Sequence, residues 1–182
     1  MMVIAGVTIE CVMGDIAAQE GFDAVVNAAN AWLRPGGGVA GAIHRAAGPE
    51  LEKECRALAP IKPGVAVITK GFNLPNRFVI HCLGPVYGRD RPEAELLARC
   101  YENSLKLAEE YKLTSIAFPA IATGYFGFPA EEAAQVAIRT VLKLVPKLKN
   151  VRRIRFVLFS EADLARYERL LAQYQKAGPV AG

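Results

Sequence analysis

Apolar and polar positions alternate at the start of the chain. Val7, Ile9, Cys11 and Met13 share one side of an extended segment, and the spacing predicts a strand over Val3–Met13. The stretch lacks a basic leader, so it reads as a first strand and not as a secretory signal. DAVVNAA at Asp23–Ala29 is almost continuously apolar, as a strand covered on both faces is. Val39–Ala47 is short and helix-permissive, and Gly48-Pro49 stops it. Pro49–Leu58 predicts a second helix, with proline early and acids in its first turn. Gly64–Lys70 and Arg77–Leu83 read as strands on either side of NLPN. That connection is too short for a crossover, so the two are expected to pair antiparallel. Glu93–Tyr111 predicts an amphipathic helix with Leu97, Tyr101, Leu105 and Ala108 on one face. Ser115–Ile121 follows as a covered strand, Pro129–Val145 as a helix with acids near its start and lysines near its end, and Ile154–Phe159 as the last strand. Glu161–Gln175 closes the pattern with a stripe of Leu164, Tyr167, Leu171 and Tyr174.

Strands alternating with helices predict one three-layer α/β domain over residues 1–175, with a mixed, mostly parallel sheet. Residues 176–182, KAGPVAG, are expected to form a flexible tail. With 52% hydrophobic residues, 182 residues suffice for a sizeable core. No apolar run is long enough to cross a bilayer. The net charge of +4 is mild. The basic cluster from Lys147 to Arg155 reads as a solvated helix end and turn, so nucleic acid is not the expected partner. Cys11, Cys55, Cys82 and Cys100 form no C-x-x-C, and with only His44 and His81 besides there is no metal-ligand spacing. Reduced, mostly buried thiols in the cytoplasm, and no metal or cofactor, are expected.

Candidate chemistry lies in glycines. Gly36–Gly38 lead from an apolar strand into a helix, where unpartnered N–H groups and partial positive charge favour an anion. SIAFPAIATGYFGFP makes the arrangement again with Gly124 and Gly127. Either loop alone reads as a tight turn; two of them, delivered by parallel strands to one sheet edge, suit a diphosphate. Gly36, Gly38 and Gly41 spell G-x-G-x-x-G, but AWLRP intervenes after Asn30, where a dinucleotide fingerprint follows its strand directly. No Lys-Ser or Lys-Thr follows, which excludes a P-loop. Asn27 and Asn30 stand at a strand end, where an amide can bind ribose hydroxyls without adding charge; backbone satisfaction is the stronger expectation for Asn27 and ligand contact for Asn30. Tyr125, Phe126 and Phe128 crowd the second loop, and Phe159 ends the last strand, where rings stack on a sugar or base or else join the core. Asp15 reads equally as a cap for the next turn and as an acceptor for an exocyclic amine.

Over nearly its whole length the sequence resembles a macro domain. GDI (14–16), DAVVNAAN (23–30), GGGVAGAIHRAAGPEL (36–51), HCLGPVY (81–87) and FPAIATGYFGFP (118–129) carry the resemblance, which is nearest to the MacroD-like branch of O-acetyl-ADP-ribose deacetylases and mono-ADP-ribosyl hydrolases. The resemblance implies ADP-ribose, free or on a protein, as the ligand. It implies that Asp15 holds the adenine amine beside Ile16, and that Asn30 binds the distal ribose. Gly37, Gly38 and Val39 would form one phosphate loop, and Thr123, Gly124, Tyr125 and Phe126 the other, with Phe126 flanking the distal ribose and Phe159 along the adenine.

The sequence departs from that branch at Ala40, where GGGVDG carries an aspartate that positions water, and at Pro35, where glycine is usual. A general base supplies roughly a hundred- to ten-thousand-fold in rate, and a methyl group supplies none of it. Other branches that carry GGGVA are associated with de-ADP-ribosylation. The expected mechanism is therefore substrate-assisted: a bent diphosphate and Phe126 hold the attacking water, Asn30 fixes the ribose, and His44 is structural. The competing expectations are an ADP-ribose reader without chemistry and a phosphatase acting on ADP-ribose 1″-phosphate.

Overall fold

The computed structural model describes residues 1–177. Its order is β1 (Met2–Ile4), β2 (Val7–Met13), β3 (Ala24–Ala28), α1 (Gly38–Ala47), α2 (Pro49–Arg56), β4 (Ala66–Lys70), β5 (Phe78–Cys82), α3 (Glu93–Glu110), β6 (Ser115–Pro119), α4 (Ala130–Leu144), β7 (Arg153–Leu158) and α5 (Glu161–Ala177). Short 3₁₀ turns occupy Ile16–Ala18 and Val145–Lys147. The strands form one sheet in the order β1-β2-β7-β6-β3-β5-β4. The inner pairs are parallel, and β1–β2 and β4–β5 are antiparallel, which is the expected mixed sheet.

The predicted first strand is two. Ala5 and Gly6 both take positive φ, 49° and 79°, and fold Val3–Met13 into a hairpin with Val3 opposite Thr8. Such a turn needs two left-handed residues, and alanine at the first of them hides the signal that Asn-Gly would give. At the other end α5 runs on through Ala177, so Lys176 and Ala177 are helical and not tail; 178–182 lie outside the described residues.

Each sheet face is covered by helices. Leu97, Tyr101 and Leu105 of α3, Ala134, Ile138 and Val141 of α4, and Tyr167 and Leu171 of α5 meet Ile9, Ile80, Phe118 and Phe156 on one side. Phe118 sits between Tyr101 (ring centroids 5.2 Å) and Phe156 (5.9 Å). Burying one such ring contributes about 1.5–3 kcal/mol. On the other side Ile43 and Ala47 of α1 and Leu51 and Cys55 of α2 cover Val25, Val79 and Val157. After β3 the chain moves through α1 and α2 toward β4, and after α3 it returns to β6 on the other side of β3. The β3–β6 boundary is therefore a topological switch point, whose open crevice lies beyond the carboxyl ends of the strands.

Candidate functional site

A cavity of about 420 Å³ lies in that crevice. Ala28, Ala29 and Asn30 after β3, Gly36–Ala40 at the start of α1, Gly84 after β5, and Ala120–Ala122 and Gly124–Phe126 after β6 line it. No charged side chain is among the lining residues.

The first loop is set by its own backbone. Gly37 caps α1 without a side chain, and Gly38 takes φ +56° in the left-handed region. Gly41 packs so closely beneath that a Cβ there would stand 2.2 Å from the Gly36 carbonyl oxygen. Among the described residues, the N–H groups of Gly37, Gly38, Val39 and Ala40 have no backbone partner. They are the donors a helix leaves free at its start.

The second loop works differently from expectation. It does not use the start of α4, which begins at Ala130, beyond the buried Phe128 and outside the cavity wall. The loop folds on itself instead: the Gly127 N–H donates to the Gly124 carbonyl (3.0 Å) and the Phe128 N–H to the Ala122 carbonyl (2.9 Å). The N–H groups of residues 123–126 are left without backbone partners among the described residues, a nest of the kind that binds anions. The loop is braced from outside, where Tyr87 donates its N–H to the Phe126 carbonyl (2.8 Å) and packs edge-on against Phe128 (5.1 Å). Asp90 holds that brace by accepting from the Val86 N–H at 2.8 Å, which lowers its carboxyl pKa.

Of the residues singled out from sequence, Asn30, Gly37, Gly38, Val39, Gly124, Tyr125 and Phe126 line the cavity together. Thr123 belongs to the second loop but is not in the wall. Asp15, Ile16 and Phe159 stand outside it, after β2 and β7 on the same sheet edge; Phe159 is 94% exposed and Ile16 is buried. Tyr125 is fully exposed at the rim, and Phe128 belongs to the core.

Asn30 does two jobs at once. Its Oδ1 accepts from the Arg34 N–H (3.0 Å) and its Nδ2 donates to the Arg34 carbonyl (2.7 Å), which closes the turn before the glycines. One amide hydrogen and one lone pair remain for the cavity. Asp15 performs the capping role, accepting from the Ala17 N–H at 2.8 Å.

Asn27 satisfies a side chain and not the backbone. Its Nδ2 donates to His81 Nδ1 at 3.0 Å, which places the His81 proton on Nε2, where Thr69 Oγ1 accepts it at 2.9 Å. The Thr69 hydroxyl donates onward to the Lys70 carbonyl at 3.1 Å. Burial, reinforced by nearby His44, pushes the His81 pKa down to about 3, so this network under the first loop is neutral. His44 is buried on the inner side of α1, is not in the cavity wall, and has its pKa lowered by burial.

Gly36 and Ala40, both singled out from sequence, do stand in the wall, while sequence reasoning missed Ala28, Ala29, Gly84 and Ala120–Ala122 as wall residues. They carry no functional group, and only the pairing of β3 with β5 and β6 brings them to one place. Among the described residues there is no cluster able to hold a metal ion and no helix long and apolar enough to cross a membrane.

A family model described as Macro domain matches residues 26–137. The O-acetyl-ADP-ribose deacetylase of Klebsiella pneumoniae is 50% identical over 170 residues, covering 91% of this chain and 97% of its own. A solved structure of an Oceanobacillus iheyensis macrodomain mutant with ADPR superposes with a TM-score of 0.89 at 40% identity, covering 94% of this chain and 95% of that one. The Trypanosoma brucei macrodomain in complex with ADP-ribose gives a TM-score of 0.84 at 36% identity, covering 90% of this chain and 68% of that one.

Proposed function

Because the chain belongs to the macro domain family, we propose that it binds ADP-ribose between its two glycine loops and hydrolyses ADP-ribose esters, either O-acetyl-ADP-ribose or mono-ADP-ribose on an acidic side chain of a protein. One observation carries the reading. The N–H groups of residues 37–40 and 123–126 lack backbone partners at a cavity whose wall holds no charged side chain. Backbone dipoles are then the chain's means of holding a diphosphate, and they do so without lysines that would also grip free phosphate. The cytoplasm is the compartment that suits four free cysteines.

In this reading the wall supplies no acid or base, so the substrate supplies its own. A non-bridging phosphate oxygen orients a water held against Phe126 and accepts its proton. The water oxygen bonds to the ester-bearing ribose carbon as the bond to the carboxylate oxygen breaks, and the leaving group departs as a carboxylate. With O-acetyl-ADP-ribose the water adds to the acetyl carbon, the bond from that carbon to the ribose oxygen breaks, the ribose oxygen takes the proton to become a hydroxyl, and the acetyl group is released as acetate. Asn30 fixes the ribose hydroxyls, and proximity provides the acceleration.

Release of ADP-ribose from a glutamate-modified protein, assayed beside O-acetyl-ADP-ribose, tests the activity directly. Asn30→Ala is expected to lower kcat about a hundredfold, because its amide both closes the loop and touches the reacting sugar. Asp15→Ala is expected to raise KM with little change in kcat. The reverse order would place the reacting bond at the wrong end of the site.

Ala40 favours a second reading, a binder without turnover, since a buried methyl group stands in the wall where the MacroD-like branch carries its acid. Ala40→Asp is expected to raise kcat at least tenfold, as a carboxylate there accepts the water's proton. An unchanged rate would mean that water is organised by the diphosphate alone. Wild-type protein that binds ADP-ribose and turns over neither ester would establish the binder.

A further inference from the structure

Beside the cavity, a chain of polar contacts ends on Asp15. Gln19 is only 6% exposed, yet it reaches two partners. Its Nε2 donates to the Asp15 carbonyl at 2.8 Å, and its Oε1 accepts from Arg155 Nη1 at 2.9 Å. Arg155 is held in turn by Glu10, whose Oε1 accepts from Arg155 Nε at 3.1 Å and from Arg153 Nη2 at 2.8 Å. The Phe22 ring lies against both guanidinium groups, 4.6 Å from Arg155 and 4.5 Å from Arg153. Asn76 Nδ2 donates to the Gln19 carbonyl (2.7 Å) and to the Phe22 carbonyl (2.8 Å), so the backbone that carries Gln19 is fixed as well.

None of these side chains lines the cavity or takes part in the hydrolysis described above. Packing alone does not explain them, since an apolar side chain at position 19 would bury as well without demanding two polar partners. The arrangement instead has a direction. Two arginines share one glutamate, which leaves an excess positive charge, and Arg155 turns it toward Gln19 Oε1. A cation on the amide oxygen strengthens the opposite N–H as a donor. That donor holds the carbonyl of the residue whose carboxylate is exposed at the sheet edge. One Asp15 oxygen, Oδ1, is taken by the Ala17 N–H, and Oδ2 has no partner among the described residues.

We propose that Glu10, Arg155 and Gln19 are positioning residues that aim Asp15 Oδ2 at the exocyclic amine of the nucleobase, and thereby make the site select adenine over a base that carries an oxo group there. The proposal rests on the ADP-ribose reading above, with the base lying beside Asp15. An amine donates to the fixed carboxylate oxygen, whereas an oxo group confronts it lone pair to lone pair. Selection of this kind depends on the carboxylate staying in place, because a side chain free to turn away evades the repulsion.

Calorimetric titration with ADP-ribose and with its hypoxanthine counterpart, inosine-diphosphate-ribose, separates positioning from general structure. Wild type is expected to bind ADP-ribose at least tenfold more tightly than the inosine form. Gln19→Leu is expected to weaken ADP-ribose binding about tenfold and to leave the inosine form within threefold, so that the preference collapses. Arg155→Gln, which keeps an amide donor at a half-buried strand position, is expected to lose most of the preference while still unfolding cooperatively at a somewhat lowered temperature, and it carries the test should Gln19→Leu fail to fold. Equal weakening of both ligands, an unchanged preference in Arg155→Gln, or a wild type indifferent to the base would each overturn the assignment. Wild type that binds neither ligand would overturn the ADP-ribose reading, and this proposal with it.

Discussion

Gly38→Glu is expected to abolish ADP-ribose binding, with at least a hundredfold loss of affinity in calorimetry and no turnover of either ester. Gly38 is the first residue of α1, is exposed, and sits in the cavity wall with open space around the position a Cβ would take. A glutamate there has room to enter the cavity, and its carboxylate takes the N–H groups that the diphosphate would use while repelling the diphosphate itself. The left-handed φ of +56° costs any L-residue about 1–2 kcal/mol. Gly38→Ala pays the same strain without the charge or the length, so it is the control: both variants should melt at similarly lowered temperatures, and only the glutamate should lose the ligand. An alanine variant equally unable to bind would show that backbone conformation at position 38, and not occupation of the anion site, decides affinity.

The second large effect is on stability in mild acid. His81 has an ordinary pKa of 6.5 and a folded-state pKa of about 3, because burial among Asn27, Thr69 and Cys55 disfavours its charged form. Between those values the unfolded chain binds a proton that the folded chain refuses. Stability is therefore fully present above about pH 6.5 and is lost as the pH falls toward 3. One such group contributes a slope approaching about 1.4 kcal/mol per pH unit. His44, also pushed down by burial, acts in the same direction. Carboxylates with lowered pKa values, Glu109, Glu131 and Asp90, add their losses only as the pH comes within about one unit of their ordinary values of 4.5, 4.5 and 3.8. The interval from about 6.5 to 5.5 thus isolates the histidines, and His81 alone should remove about 1 kcal/mol across it. Urea denaturation across that interval measures the slope. His81→Gln, which keeps polar atoms beside Asn27 and Thr69 without a titrating ring, should flatten the dependence even where it lowers stability at neutral pH. A slope unchanged by that substitution would place the acid sensitivity elsewhere.

Much of this architecture was legible in the sequence because the elements are long or strongly patterned. Leu97, Tyr101, Leu105 and Ala108 bury as their spacing in α3 predicts, and the tight NLPN connection does join an antiparallel pair. The fully buried β6 carries the unbroken apolar run of a covered strand. Illegible features arose where local chemistry gave no sign. The hairpin at Ala5–Gly6 uses an alanine at a left-handed position. The two glycine loops look alike as text, yet only the first sits on a helix start, because Phe128 turns inward and Pro129 delays α4. The position of Asn27 at a strand end predicts a nearby backbone partner, whereas its amide bonds a histidine 54 residues away, on the neighbouring strand β5. Gln19 carries no motif, and its contact with Arg155 exists only because β7 lies beside β2.

The cavity wall is built largely from glycine, alanine and main chain. Systematic truncation of side chains would therefore report an almost inert surface: five of its positions are alanine already, and at the glycines such a survey adds an atom where it means to remove one. A map of this site has to be drawn by enlargement, one bulky residue at a time, and its contours will read as the reverse of those from a pocket lined with reactive groups.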